Sequence, residues 1–143
     1  MRAVSAVGGA DVREQAVLVE RATAAMERAY APYSRFRVGA ALLGLDGSIT
    51  DGCNVENAAY PAGICAERSA VAAAVARGVR AFEAIVIVTE ADVPTPPCGM
   101  CRQVLVEFAP NLEVVSITRG GAVAKWSMSE LLPAAFTPTS MGR

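Results

Sequence analysis

Two short cysteine segments, Cys65-Ala66-Glu67 and Pro97-Cys98-Gly99-Met100-Cys101, constrain this chain more than any other feature. Each stands at the start of a stretch with helical character, and an apolar strand-like run, Ala84 to Thr89, lies between them. Unpaired N–H groups and the positive dipole end at a helix start favour thiolate over thiol. Two helix starts converging on one point would put three sulfurs around a single ion, which limits how the two helices and the strand can be arranged.

Three protein ligands leave a tetrahedral Zn²⁺ with one open position for water, at an expected Zn–S distance of roughly 2.3 Å. Glu67, two residues after the first ligand, is placed to move that water's protons. With no histidine in the chain, any zinc site rests on sulfur and carboxylate. Two other readings use the same cysteines. All four, Cys53 included, could close a structural zinc site, or Cys98 and Cys101 could form a thioredoxin-like redox pair with Cys65 and Glu67 incidental. Strand alternation speaks against the closed site: if Asn54 and Glu56 face a ligand, Cys53 and Val55 face the other way.

At 143 residues and 53% hydrophobic, the chain suits a single domain, residues 1–143, with a sizeable core. A formal charge of −1 gives no long-range attraction to phosphate polymers, so no nucleic acid partner is expected. The apolar stretches Ala70 to Ala76 and Ala84 to Val88 fall short of the ~20 residues of a membrane helix. Ala3 to Ala10 is broken by Ser5, Gly8 and Gly9, unlike a secretory h-region. A soluble, cytoplasmic protein with reduced thiols is expected, with no membrane partner.

Asp11 and Glu14 resemble a helix N-cap pair, and Leu18, Ala22, Ala25, Met26 and Ala29 follow at helical spacing, predicting a helix over Val12 to Ala29. Val38 to Leu43, the Asp46-Gly47 turn signal and Ile49 to Glu56 read as an antiparallel hairpin. The first of these strands is apolar without alternation, so both sheet faces are covered. A buried helix runs from Cys65 to Ala76 and stops at Arg77-Gly78. A strand over Ala84 to Thr89, a helix over Gly99 to Phe108, and strands over Glu113 to Ile117 and Ala122 to Trp126 follow. Ser127 and Glu130 suggest a capping box on a short last helix. The expected fold is α/β, a three-layer α/β/α sandwich with a mixed five-stranded sheet.

Cys-x-Glu followed by Pro-Cys-x-x-Cys is a thiolate form of the zinc nucleobase deaminase pattern. With Cys53-Asn54-Val55-Glu56-Asn57, Cys65-Ala66-Glu67-Arg68 and Cys101-Arg102-Gln103, the chain closely resembles the homotetrameric cytidine deaminases from about Tyr30 to Phe136. The resemblance implies one Zn²⁺ per subunit on Cys65, Cys98 and Cys101, with Glu67 carrying protons from water to the pyrimidine ring and to departing ammonia. It implies a nucleoside substrate whose ring packs on Phe36 and is read by the backbone of Ala66, and whose ribose is held by Asn54 and Glu56. Tyr60 and Phe136 match residues that reach a neighbouring subunit's pocket in a homotetramer, and Arg68 matches a donor to thiolate sulfur. Pyrimidine salvage is the implied setting. Arg37, Met100 and Trp126 depart from the usual pattern of proline, a small residue and tyrosine. The Asn-Val-Glu-Asn run separates the chain from blasticidin S deaminases, though a modified cytosine nucleoside or antibiotic remains an alternative substrate. A non-catalytic zinc module remains the alternative that is not an enzyme.

Overall fold

The computed structural model describes residues 12–143. One five-stranded sheet has the order β2-β1-β3-β4-β5, built from β1 (Val38–Gly44), β2 (Ile49–Cys53), β3 (Phe82–Thr89), β4 (Glu113–Thr118) and β5 (Val123–Ser127). β3 and β4 are parallel, and the other neighbouring pairs are antiparallel. Helix α1 (Val12–Glu27) covers one face, while α2 (Ala66–Ala76), α3 (Gly99–Phe108) and the short α4 (Met128–Leu131) cover the other. This is the three-layer arrangement expected.

Alternation along β1 divides the core. Ala41 and Leu43 join Leu18, Ala22 and Met26 of α1, whereas Ala40 and Leu42 join Ala66, Ala70 and Leu105 on the other face. Both layers approach the sheet through a glycine. A Cβ on Gly39 would lie 1.9 Å from the Ala22 carbonyl oxygen, and one on Gly52 would lie 2.5 Å from the Ala70 nitrogen. Neither backbone contact tolerates a side chain.

The element boundaries move in explicable ways. α1 stops at Glu27 rather than Ala29 because Arg28 and Ala29 donate three residues back, to Ala25 and Met26, in a tight closing turn. Asp11, its expected cap, lies outside the described residues. β2 ends at Cys53, three residues short of Glu56, because Val55 leaves the hairpin to exchange hydrogen bonds with Ile64 while the Asn54 carbonyl accepts from Tyr30. Cys65 is the N-cap of α2, not its first helical residue. β3 starts two residues early at Phe82, and β5 runs one residue later than Ala122 to Trp126.

Two local expectations are met in detail. The helix α2 closes with Gly78 at φ 89°, Gly78 donating to Val75 and Val79 to Ala74, which is a Schellman ending. Ser127 and Glu130 form the reciprocal capping box on α4.

Candidate active site

Cys65 and Cys98 are the N-caps of α2 and α3, and neither side chain caps its own helix. Both sulfurs are therefore free to face each other. Cys65 Sγ lies 3.8 Å from Cys98 Sγ, which lies 3.5 Å from Cys101 Sγ one helical turn on. Three sulfurs at the Zn–S distance on the corners of a tetrahedron stand about 3.8 Å apart, so the cluster has the spacing that a zinc ion requires. It is the metal-ligating cluster found among the described residues, and Cys53 is not part of it. The register explains why: Cys53 pairs with Gly39, whose missing side chain would point at α1, on the opposite face of the sheet from α2 and α3.

Glu67 lies in the first turn of α2 and is 5% exposed. Burial lifts its carboxyl from 4.5 to about 7, with the neighbouring Cys65 charge adding to the rise. Among the sulfurs the proton is shared unequally. A hydrogen bond from Cys101, against the opposing effect of burial and with help from Arg68, brings the Cys65 thiol down to about 5; the same bond and burial push Cys101 up. Arg68, three residues after Cys65 on one helix face, donates from Nη2 to Cys65 Sγ at 3.6 Å.

Cys65, Glu67 and Arg68 line a cleft of about 410 Å³. Ala66, Glu67, Ile87 and Thr89 line it together with Phe36 and Val38, and Thr95, Pro96 and Cys98 bring in the segment ahead of α3. Asn54, Glu56 and Tyr60 also line it. Phe136 is not among the lining residues; it is exposed, and its carbonyl accepts from Gln103 Nε2 at 2.9 Å.

Asn54 and Glu56 do more than present polar atoms. Asn54 lies just beyond the strand, accepts from Val38 N at 2.8 Å and donates to Phe36 O at 2.7 Å. Glu56 accepts from the backbone of Tyr33 and Ser34 at 2.9 and 3.0 Å and from the Ser34 hydroxyl. The Ser34 bonds hold its carboxyl below the usual range. Both side chains thus brace the segment carrying Phe36, while an amide and a carboxylate retain further lone pairs, and the amide a second N–H, for a ligand.

Sequence reasoning did not single out Ser34, Thr89 or Thr95. Thr89 had a signal, a polar residue ending the apolar run Ala84 to Val88. Ser34 had none, because its partner Glu56 is 22 residues away.

Comparison with known proteins agrees with this geometry. Residues 12–117 match the family described as cytidine and deoxycytidylate deaminase zinc-binding region. The chain is similar to a cytidine deaminase of Halalkalibacterium halodurans, 46% identical over 129 residues, covering 90% of this chain and 98% of that one. It is also 46% identical over 121 residues to a cytidine deaminase of Sporosarcina psychrophila, covering 84% and 89% of the two chains. Among solved structures, the crystal structure of cytidine deaminase from Burkholderia pseudomallei superposes with a TM-score of 0.81 at 52% identity, covering 85% of this chain and 98% of that one. A three-sulfur cluster of zinc spacing, a buried carboxyl beside it and a match across most of the chain lead to one conclusion: this chain belongs to the cytidine and deoxycytidylate deaminase zinc-binding family.

Proposed function

We propose that this protein hydrolyses cytidine and 2′-deoxycytidine to the corresponding uridines and ammonia, within pyrimidine salvage. The observation that carries this reading is the placement of a nearly buried Glu67 beside three sulfurs in an open cleft. Cys65, Cys98 and Cys101 would hold the zinc. When bound, zinc supplies a water acidified towards neutral pH.

The protein's own groups account for the rest. Burial raises the Glu67 carboxyl above the usual carboxylate range, and a carboxyl so placed can accept a proton from the attacking water and return it to N3 of the ring. The water oxygen adds to C4, the C4–N4 bond breaks, and a second proton passing through Glu67 lets the amine leave as ammonia. Arg68 offsets the negative charge that three thiolates place around the ion.

In the same reading Phe36 packs on the pyrimidine and the Ala66 backbone reads its edge. Asn54 and Glu56 hold the ribose with the hydrogen-bonding capacity left after bracing residues 33 to 38. Tyr60 and Phe136, both exposed, extend to a neighbouring subunit in a cytoplasmic homotetramer with shared sites. No described helix is long and apolar enough to cross a membrane.

Loss of the cytosine absorbance band on mixing metal-quantified protein with cytidine tests the reading. A panel adding 2′-deoxycytidine, cytosine and blasticidin S defines the substrate class. A fully zinc-loaded protein that turns over none of the nucleosides would reduce the site to a structural module. Dilution to monomer abolishes activity if sites are shared, and active monomers would remove Tyr60 and Phe136 from the scheme.

A further inference from the structure

Of the three sulfurs, Cys98 is the least supported by its surroundings. Cys101 is fully buried within α3 and Cys65 is half-buried at the packed start of α2, whereas Cys98 is exposed at the end of an irregular segment that runs from Glu90. Something must set where that segment delivers its sulfur.

Arg102 is placed to do so. Its Nε donates to the Pro97 carbonyl at 2.7 Å, one residue ahead of Cys98, and its Nη1 donates to the Leu131 carbonyl at 2.8 Å, at the end of α4. Among the described residues no carboxylate lies within ion-pair distance of it. The guanidinium is therefore used for its shape: a planar fork whose donors diverge in fixed directions can hold two carbonyls at once, and a single ammonium cannot hold them in the same way. One of those carbonyls belongs to the peptide that carries Cys98, and the other is a helix-end acceptor without an onward intrahelical donor.

We propose that Arg102 is a positioning residue for the metal centre, fixing Cys98 through the Pro97 carbonyl and tying that ligand to the C-terminal segment through Leu131. The adjacent Gln103 bonds the Phe136 carbonyl of the same segment, where Arg102 bonds the Pro97 carbonyl, so it serves as the internal control. The inference rests on the zinc site described above.

The test compares zinc-loaded wild type, R102K, R102Q and Q103A in three measurements: the rate of zinc release to a colorimetric chelator, the absorption spectrum of the cobalt(II)-substituted protein, and Tm. R102Q should release zinc at least about tenfold faster and shift the thiolate-to-cobalt bands, in keeping with the effect of removing a group that orients a ligand. R102K, which keeps the charge but not the fork, should fall on the same side. Q103A should lower Tm with zinc release and spectrum unchanged. If R102Q does not fold, R102K decides the matter on the same readouts. Wild-type release rates and spectra in the Arg102 variants, whatever their Tm, would reduce Arg102 to a structural clamp. A wild type that holds no zinc would instead overturn the reading of the site itself.

Discussion

Helices α1 and α2 lie on opposite faces of one sheet and each packs through a strand glycine, yet only α2 carries chemistry. Their direction accounts for the difference. At the sheet end where β3 finishes, α2 and α3 present N-termini, and thiolates and Glu67 gather there. α1 presents its C-terminus at that end, where Arg37 pairs with Glu27 at 3.3 Å and Arg119 joins the same carboxylate, with Glu90 completing the network. Positive dipole ends support anionic ligands, and a negative end collects arginines. The two faces share a packing device and differ in the sign of what they offer.

The largest effects separate the faces by chemistry. Ala at Cys65, Cys98 or Cys101 should abolish zinc binding, while Cys53→Ala on the α1 face should keep one zinc per chain by metal analysis. Zinc-free C53A protein would break the distinction. E67Q should retain zinc and lose roughly four orders of magnitude in turnover, because one side chain carries both the acid and the base role. Near-normal turnover would remove Glu67 from the reaction.

Smaller effects test the packing. Gly39→Ala and Gly52→Ala should each cost about 3 kcal/mol, since backbone must move to admit a methyl group. Gly52→Ala should also lose zinc affinity and activity, because the atoms it displaces belong to α2; Gly39→Ala should lose stability alone. Equal losses of activity would show that the faces are coupled through the sheet.

The pH dependence sharpens the same contrast. In zinc-free protein the folded chain keeps a proton on Glu67 between its ordinary 4.5 and about 7, where the unfolded chain has released it. Wild type should therefore lose stability relative to E67Q as pH rises through that window, by about 3 kcal/mol in total. A pH-independent difference in chemical denaturation would rule out a raised Glu67. On the α1 face the sign reverses. Burial opposes ionisation of Asp51, but Arg21 and Arg28 overcome it and hold the carboxyl below its ordinary 3.8. That contribution is present above 3.8 and is lost as pH falls below it. Asp51→Ala should cost about 1 kcal/mol at neutral pH without changing turnover.

How far the sequence reached varies with the range of the interaction. Helix stops at Arg77-Gly78, the Ser127 capping box and the hairpin turn at Asp46-Gly47 depend on neighbours a few residues apart, and they were legible. Gly47 duly takes φ 85° and donates to the Gly44 carbonyl at 3.0 Å. The end of β2 was not legible, because it depends on Val55 meeting Ile64 and Asn54 meeting Tyr30 across loops. The bracing role of Glu56 was hidden for the same reason.

The sequence by itself determined the donor types: four cysteines and no histidine confine any zinc site to sulfur and carboxylate, and the two cysteine segments set three of those sulfurs and Glu67 at helix starts. It also determined the layering, through an apolar strand that needs cover on both faces. Tertiary structure alone decided that α1 covers the face Cys53 takes, how deeply Glu67 is buried, and which arginine holds which carbonyl. Ligand identity is a matter of residue type and local spacing, whereas burial and long-range hydrogen bonds exist only once distant segments have packed.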